Sequence, residues 1–589
     1  MEGLWMTNPV KQGLRHLVRH ETLWTAPLVY LLFGSLVRWA VALHPYSGQN
    51  TPPQYGDYEA QRHWMELTIN LPTKDWYTHD LTWWGLDYPP LTAFHSRLCG
   101  SIGSMIDSSW FELYSSRGLE SMGSKLFMRS AVFVSEMIIY IPAVLVFCQV
   151  QYGSKDIFQK HIGAILIIMQ PALLLIDHGH FQFNSVMLGL TLWAINAFLT
   201  GYYVWGAIFF CLSLGFKQMA LYYSPAVFAY LLAQCFKNKQ GLILFCKLGI
   251  TVLVTFGILF SPWLGSLDSI LQVIHRVFPV ARGLFEDKVA SVWCTLNIFI
   301  KIRQLLSLEA AVKMSLVATL LAVVPVSIQL YLRPSPYRFL YALVNSSLAF
   351  FLLSFQVHEK SILLPALPVT LLVLEDPVAV RLFINTAMFS MFPLLKREGL
   401  EIPYVATTLL WNYLLGDYPK STLSTLRNTI NVVYAGFIGW HFIDLTVAPP
   451  EKLPDLFVVL NAAMSFTGLG LVTPLGVGVN HAWQNLLKSQ CGIVSLSNTP
   501  GFESLPVRIG ACVPQGPKEQ GQFTASEWLD KGDDRVMAKF TQFAIAAARQ
   551  ALEDAEWKPN DESEKERTVR VILFFFFIII SIMKCKIVN

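Results

Sequence analysis

The sequence predicts an all-α polytopic membrane protein followed by a C-terminal α/β segment of different character. Three observations carry this expectation. Apolar residues make up 53 % of the chain and charged residues 14 %, with 40 Phe and 17 Trp; an ordinary soluble domain carries about 25 % charge. Apolar runs of 15–22 residues recur through the first three quarters, and a spanning helix needs about 20. From residue 465 onward, charge, Gly, Pro and Ser rise together. The net charge of +4 is small and dispersed, so no nucleic-acid partner is expected. Disordered, collagen-like and disulfide-rich secreted classes do not fit this composition.

In chain order, the spans are expected near 24–43, 126–148, 161–177, 186–200, 204–217, 222–236, 241–262, 310–331, 339–356, 361–374, 377–394, 402–416 and 428–447, with a further one from Leu456, giving 13–14 in all. Trp24 to Leu43 is too long for the apolar core of a cleaved signal and reads as a first anchor. Lys11, Arg15 and Arg19, then Lys155 and Lys160, Lys237, Lys239 and Lys247, Arg333 and Arg338, and Lys420 and Arg427 fall on one side if the spans alternate. The positive-inside rule makes that side, and the N-terminus, cytosolic. Cys148, Cys211, Cys235 and Cys246 lie in apolar runs without metal-ligand spacing and are expected as small buried apolar residues.

The opposite side receives the long segment 44–125, the stretch Asp177-His-Gly-His-Phe-Gln-Phe-Asn184, Phe216-Lys-Gln-Met219, the loop 263–309 and His358-Glu-Lys360. Ionisable and amide groups at span ends need partners, which makes them functional-site candidates. Snorkelling to the interface accounts for single Lys or His residues, but poorly for five such loops on one face.

Asp57, Glu59, Arg62 and His63 fall within seven residues, on a short amphipathic helix with Asp57 at its N-cap and Trp64, Leu67 and Ile69 facing the membrane interface. Trp84-Gly-Leu-Asp-Tyr-Pro-Pro90 is a turn carrying a second carboxylate, Asp87. Carboxylates among aromatics suit a sugar: rings stack on pyranose faces and a carboxylate deprotonates a hydroxyl within reach. A helix cap for Asp57 and a turn hydrogen bond for Asp87 are the alternatives at this stage. His358 and Lys360 at a membrane face can hold a phosphate. Arg276, Arg282 and Lys288 form a further mixed-charge loop with Glu286 and Asp287. There is no P-loop, H-E-x-x-H or short Asp-x-Asp signature in the first loop, so neither metal nor cofactor is expected.

Gly56-Asp-Tyr-Glu-Ala-Gln-Arg-His-Trp64, Trp84 to Ala93, Asp177 to Ser185, Arg282 to Ala290 and Ser354 to Leu363 together resemble the asparagine-linked glycosylation glucosyltransferases of the endoplasmic reticulum, over residues 24–464. The Ala-Gln-Arg-His-Trp form is nearer to those that add the first glucose than to those that add the second. The resemblance implies a type C glycosyltransferase fold in the endoplasmic reticulum membrane with a lumenal site. It implies dolichyl-phosphate-glucose as donor and Man9GlcNAc2 on dolichyl diphosphate as acceptor. The new bond is α-1,3, made by inversion, with no metal, no cofactor and no obligatory protein partner. On this resemblance Asp57 is the base, His358 and Lys360 steady the leaving phosphate, and Asp87 shapes a sugar pocket. Glu59, Arg62, His63, Asp177, His180, Gln182 and Arg282 are expected substrate contacts.

The expected organisation is a membrane domain, 1–464, containing the large loop 44–125; a segment 465–570; and an apolar tail, 571–589, too short for a span. Thr467 to Gly476, Trp483 to Gly492 and Ala547 to Trp557 resemble the start of a mitochondrial-type β-ketoacyl-acyl carrier protein synthase. That family's nucleophilic Cys and two His belong downstream of the matched stretch, and Cys491 and Cys512 do not sit in its motif. No condensing activity and no independently folded domain are therefore expected, and the junction reads as mis-joined or read-through sequence. A transporter or an inactive fusion is the competing reading. The transporter lacks the internal repeat such folds usually show.

Overall fold

The computed structural model describes residues 9–20, 25–278 except 154 and 238, 289–419 except 301 and 356, 424–467 except 452, and of the tail only 493–495, 509–511, 524–528 and 542. The chain divides into two compact units, 1–420 with 449–466, and 421–448 with 467–589.

The first unit opens with the amphipathic helix α1 (Pro9–His20) and the first apolar helix α2 (Thr25–Ala42). Two helices, α3 (Gly56–Asn70) and α4 (Pro90–Ile106), precede the 30-residue α5 (Met122–Gln151). The next stretch is composite: α6 (Ile157–Ile168), α7 (Pro171–Leu174) and a π-helical turn, Leu175–Phe181. There follow α8 (Asn184–Leu199), α9 (Tyr203–Phe216), α10 (Ser224–Lys237), α11 (Gly241–Phe260), α12 (Leu267–Val277), α13 (Val292–Ile300) and α14 (Ile302–Leu305). Then come α15 (Leu308–Leu332), α16 (Pro336–Leu353), α17 (Leu363–Thr370), α18 (Pro377–Arg397) and α19 (Glu401–Leu415). In the second unit stand α20 (Ser424–Thr446) and a small antiparallel pair, β1 (Ile493–Ser495) with β2 (Ile509–Ala511), Val494 opposite Gly510. The last helix of the first unit is α21 (Leu456–Thr467), which Asn461 ties to α18 by donating to the Phe389 carbonyl at 3.0 Å.

Each expected span contains a helix. Among the described residues, however, seven helical stretches have spanning length and composition, with three shorter apolar helices at Asn184–Leu199, Tyr203–Phe216 and Leu456–Phe466. The difference from 13–14 has local causes. Proline removes a backbone donor and ends short helices, and the run 361–374 accordingly yields only the eight-residue α17, which contains Pro368. Gly399 and Gly416, at φ 71° and 81°, bracket the 15-residue α19.

Close helix approach uses small residues. A methyl group on Gly189 of α8 would lie 2.9 Å from the Tyr140 Cα of α5. Asn196 of α8 also donates to the Ala143 carbonyl at 2.9 Å. Leu242, Ile243, Phe245, Ile250 and Leu253 of α11 are exposed, as an apolar helix facing lipid would be. Cys246 is exposed there too, not buried as expected, whereas Cys148, Cys211 and Cys235 are buried.

The segment 44–125 is a packed layer. Trp64 and Leu67 of α3, Trp76, Tyr77, Leu86, Ala93 of α4, Trp263, and Val273 and Val277 of α12 form one apolar cluster. Trp263 meets Tyr77 edge-on at 5.3 Å. Trp64 and Leu67 therefore face this core and not the membrane interface, because α12 and its preceding turn supply a second apolar face.

The opposite side of α3 is a buried ion network. The Arg62 guanidinium donates to Glu59 at 2.7 and 2.6 Å, to Glu66 at 2.7 Å, to Ser116 Oγ at 2.7 Å and to the Trp110 carbonyl at 3.1 Å. Glu66 also accepts from the Tyr114 N–H at 2.9 Å and contacts His63 Nδ1 at 3.1 Å. Burial works against ionisation of Glu66, but the His63 hydrogen bond and the Arg62 charge outweigh it and hold its carboxyl at about 2. These side chains staple the 110–116 segment to α3. Arg62→Met leaves two buried carboxylates uncompensated and should destabilise the protein by about 3–5 kcal/mol. Thermal unfolding in detergent would read this as a large fall in midpoint, and a midpoint unchanged from wild type would remove the stapling role.

Candidate active site

The site is built on a break in a spanning helix. Gln170 caps α7 by accepting from the Leu173 N–H at 2.7 Å, and the helix then widens into the π-turn Leu175–Phe181. Such turns interrupt the regular ladder and concentrate at functional sites. Asp177 closes this one: its Oδ1 accepts from the Asn184 N–H and side-chain amide at 3.0 and 2.9 Å, and its Oδ2 from the Ser185 N–H at 2.6 Å. Arg129 of α5 takes the freed carbonyls of His178 and Gly179, the latter at 2.8 Å. Phe181 has φ 87°, and that turn of backbone brings His180 and Gln182 forward together.

Asp57 approaches from α3. The helix is entered through two left-handed residues, Tyr55 at φ 60° and Gly56 at φ 67°, with no side-chain cap. Asp57 is thus not the N-cap; it lies in the first turn, with its N–H on Ser47 Oγ at 3.4 Å. The approach is tight: a Cβ on Gly48 would lie 1.9 Å from the Tyr55 carbonyl oxygen. The Ser47 N–H in turn donates to the His180 carbonyl at 3.0 Å, so both approaches share one brace.

Three donors meet on one oxygen of Asp57. Oδ2 receives Lys360 Nζ at 2.5 Å and the Gln182 amide at 2.5 Å, and lies 3.0 Å from His180 Nε2. Among the described residues, Oδ1 has no hydrogen-bond partner, and the Asp57 side chain is 24 % exposed. Burial disfavours the charged carboxyl, but the Lys360 ammonium and the His180 hydrogen bond outweigh it and hold Asp57 well below the usual carboxylate range. Lys360, for its part, is pulled down by burial and pushed up further by Asp57, with a net rise. Buried Lys217 fixes the orientation of Gln182: it donates to Gln182 Oε1 at 2.7 Å and Asn184 Oδ1 at 2.8 Å. An ammonium can only donate, so the amide oxygen of Gln182 faces Lys217 and its NH2 faces Asp57.

Asp57, His180 and Lys360 line a cavity of about 370 Å³ together with Tyr46, Ser47, Gln49, His358, Glu359, Arg397 and Glu398. That volume lies within the roughly 300–1,000 Å³ of small-molecule sites. The wall is mixed: carboxylates at 57, 359 and 398, cations at 360 and 397, and two imidazoles. Among the described residues no three His, Cys, Asp or Glu side chains converge in a way that could hold a metal ion.

The expected site residues thus separate. Asp57, His180, Gln182 and Lys360 come together, and His358 shares their cavity. Glu59, Arg62 and His63 are buried on α3 in the staple, because an Arg flanked at i−3 and i+4 by Glu satisfies itself along one helix face. Asp177 is fully buried and spends both oxygens on the π-turn. Asp87 is half-buried, close enough to Lys217 to act on its charge, and is not in the cavity wall. Arg282 lies outside the described residues.

Glu398 and Arg397 were not expected site residues, and Lys217 was expected only within the polar loop Phe216-Lys-Gln-Met219, with no role assigned. Alternation of the spans had already set the 395–401 turn on the same side as His358, which was the available signal for the first two.

The Asp57–Lys360 pair carries a pH signature. A carboxyl held below its unfolded value near 3.9 contributes stability that is full above that value and lost as pH falls through the folded value. Wild-type thermal stability should therefore decline on acidification below about pH 4, and Lys360→Met should remove this increment. Equal acid sensitivity in the two proteins would exclude the pairing.

Comparison with known proteins places this geometry. Residues 34–474 match the ALG6, ALG8 glycosyltransferase family, and residues 463–574 match the beta-ketoacyl synthase N-terminal domain. The Saccharomyces cerevisiae dolichyl pyrophosphate Man9GlcNAc2 alpha-1,3-glucosyltransferase is 44 % identical, covering 75 % of this chain and 89 % of its own. The proteins of that name from Gallus gallus and Mus musculus are 41 % and 42 % identical, covering 75 % and 74 % of this chain and 94 % and 93 % of theirs. The crystal structure of ArnT from Cupriavidus metallidurans bound to undecaprenyl phosphate aligns over 79 % of this chain and 85 % of its own, at 11 % identity and a TM-score of 0.37, below what establishes a shared fold. With the family match running through every element that carries Asp57, His180, Gln182 and Lys360, this membrane protein belongs to the ALG6, ALG8 glycosyltransferase family.

Proposed function

We propose that this protein transfers the first glucose from dolichyl-phosphate-glucose to Man9GlcNAc2 on dolichyl diphosphate, in α-1,3 linkage with inversion, at the lumenal face of the endoplasmic reticulum membrane. The observation that carries the reading is the one-sided holding of Asp57. Its Oδ2 is anchored by Lys360 and Gln182 with His180 alongside, while Oδ1 is left to accept a hydroxyl in the cavity. The relatives' names give an unglucosylated acceptor, which supports the first glucose over the second.

The chemistry follows from this arrangement. The mannose 3-hydroxyl donates to Oδ1 of Asp57 and attacks the anomeric carbon from the face opposite the phosphate. The new C–O bond forms as the bond to phosphate oxygen breaks, the electron pair leaves with the phosphate, and Asp57 takes the hydroxyl proton. A single in-line displacement by one base, with no covalent sugar intermediate, inverts the centre. Phosphate is a good leaving group, so electrostatic support suffices in place of a general acid. His358, Lys360 and Arg397 line the cavity where that charge develops. In this reading no metal and no cofactor takes part, and the donor is a co-substrate. Asp87 acts on the charge of Lys217, whose ammonium lies 4.7 Å from the Tyr88 ring centre, and through Lys217 supports the orientation of Gln182.

The test supplies both lipid-linked substrates to microsomes lacking the endogenous enzyme and expressing either the full chain or Asp57→Asn. Wild type should transfer one glucose. Asp57→Asn, which keeps the shape and loses the base, should lower kcat by roughly 10²–10⁴-fold with little change in KM. Transfer only to an already monoglucosylated acceptor would replace the first-glucose reading, and an active Asp57→Asn would end the assignment of the base.

A further inference from the structure

The acceptor in the reading above carries nine mannoses and two N-acetylglucosamines, as the relatives' names give it, and only one mannose is attacked. The cavity at Asp57 holds about 370 Å³, the size of a small-molecule site. Most of such a glycan therefore lies outside it, against the protein surface that adjoins the rim.

That surface carries a cluster of aromatic and charged side chains. The Arg117 guanidinium lies 5.2 Å from the Trp83 ring centre and 4.9 Å from the Tyr114 ring centre, and it pairs with Asp80. Thr82 Oγ1 donates to the other Asp80 oxygen at 2.8 Å, and the Tyr114 hydroxyl lies 3.1 Å from His79 Nε2. Tyr114 is 52 % exposed, and the Arg117 and Asp80 side chains are 24 % and 27 % exposed.

The loop 48–55 joins this cluster to the cavity. Gly48, Gln49 and Thr51 line the cavity. Their neighbours tie the loop to the cluster's own segments: Glu120 accepts from the Asn50 N–H at 2.9 Å, and the Trp84 indole donates to the Gln54 carbonyl at 2.5 Å. Gly118 lies so close to the Tyr55 ring that a Cβ there would clash. Arg62, which holds Ser116, stands five residues beyond Asp57, about 7.5 Å along the helix axis.

Two features set the cluster apart from a purely structural tie. Asp80, Trp84 and Tyr114 have φ 35°, 44° and 68°; bulky residues adopt such backbone at a cost, and strain of this kind collects at functional sites. The Trp83 indole N–H and Arg117 Nε are buried with no acceptor among the described residues. The buried Arg62 guanidinium, by contrast, has an acceptor for every N–H.

We infer that Tyr114, Arg117 and Asp80 form a subsite for a sugar of the acceptor glycan other than the one attacked. This rests on the glucosyl-transfer reading above. The C–H face of a pyranose packs on the electron-rich face of the Tyr114 ring. Its hydroxyls accept from the Arg117 guanidinium and donate to the Asp80 carboxylate, and bonds to charged partners are the stronger kind. No covalent bond changes there. Holding a remote sugar keeps the reacting arm at the cavity mouth, so binding energy gained far from the base serves the reaction.

The test measures glucose transfer to two acceptors by wild type, Tyr114→Asn and Arg117→Lys. One acceptor is Man9GlcNAc2 on dolichyl diphosphate, and the other is the same lipid with the glycan trimmed to its glucose-accepting arm. Asparagine tolerates the left-handed backbone at 114 and removes the ring; lysine keeps a charge for Asp80 and loses the planar fork. Wild type should prefer the full glycan in kcat/KM. Tyr114→Asn should raise the KM for the full acceptor about 10-fold, the scale of losing one anchoring ring, leave the donor KM within twofold, and cut the preference by the same factor. Arg117→Lys should cut it in the same sense. A wild type without preference, or variants that keep it, would overturn the subsite, as would a loss equal on both acceptors. Failure of wild type to use either acceptor would instead overturn the reading on which the subsite rests. Equal thermal midpoints of wild type and Tyr114→Asn would exclude misfolding; if Tyr114→Asn unfolds, the preference is read on Arg117→Lys.

Discussion

A helix inside a membrane cannot be broken without giving its freed peptide groups new partners, because lipid offers none. That constraint governs the whole site. The π-turn Leu175–Phe181 interrupts a buried spanning stretch, and two charged side chains, one within the turn and one from α5, take up peptide groups there. Asp177 takes the N–H groups beyond the turn, and Arg129 takes the carbonyls within it. Only because the turn is closed in this way do His180 and Gln182 leave the helical track side by side and reach Asp57.

The same side chains satisfy one another in layers going outward. Arg38 of α2 pairs with Glu136 of α5 at 2.6 and 2.7 Å, and Glu136 contacts His178 on the π-turn at 2.6 Å. Lys217 orients Gln182, and Gln182 and Lys360 orient Asp57. Buried pairs of this kind add little net stability compared with apolar replacements, but losing one partner is costly. Their contribution is to specify a single arrangement, since any displacement leaves a charge without its counter-ion in a medium that cannot solvate it. The Asp57 carboxylate is the exception: its second oxygen is left without a partner among the described residues, and the side chain lines the cavity.

The layer formed by 44–125 and α12 follows the rules of a water-soluble core. Its aromatic cluster fixes α3 on one side, and the Arg62 network fixes it on the other. Held between them, the first turn of α3 can present Asp57 through the left-handed Tyr55–Gly56 entry. Rigid support at the helix body is what allows a strained entry at its end.

The sequence by itself determined that the chain is helical and membrane-bound and where the helices fall. Those properties depend on composition and run length, and both are local. It also singled out Asp57, His180, Gln182, His358 and Lys360, because their motifs carry polar groups where polar groups are costly. Three things were beyond it. Which apolar helices face lipid and which face protein was not legible, since both surroundings are apolar and the amphipathic period vanishes; Cys246 is the plain instance. Glu59, Arg62, His63 and Asp177 could not be told from substrate contacts, because a buried staple and a binding group use the same residue types and differ only in what stands opposite. Glu398, far along the chain from Asp57, entered the site solely through the tertiary meeting of α3, the π-turn and the end of α18. Spacing along a chain records local neighbours; the pairing of charges across the bundle is decided when the helices pack and leave no water between them.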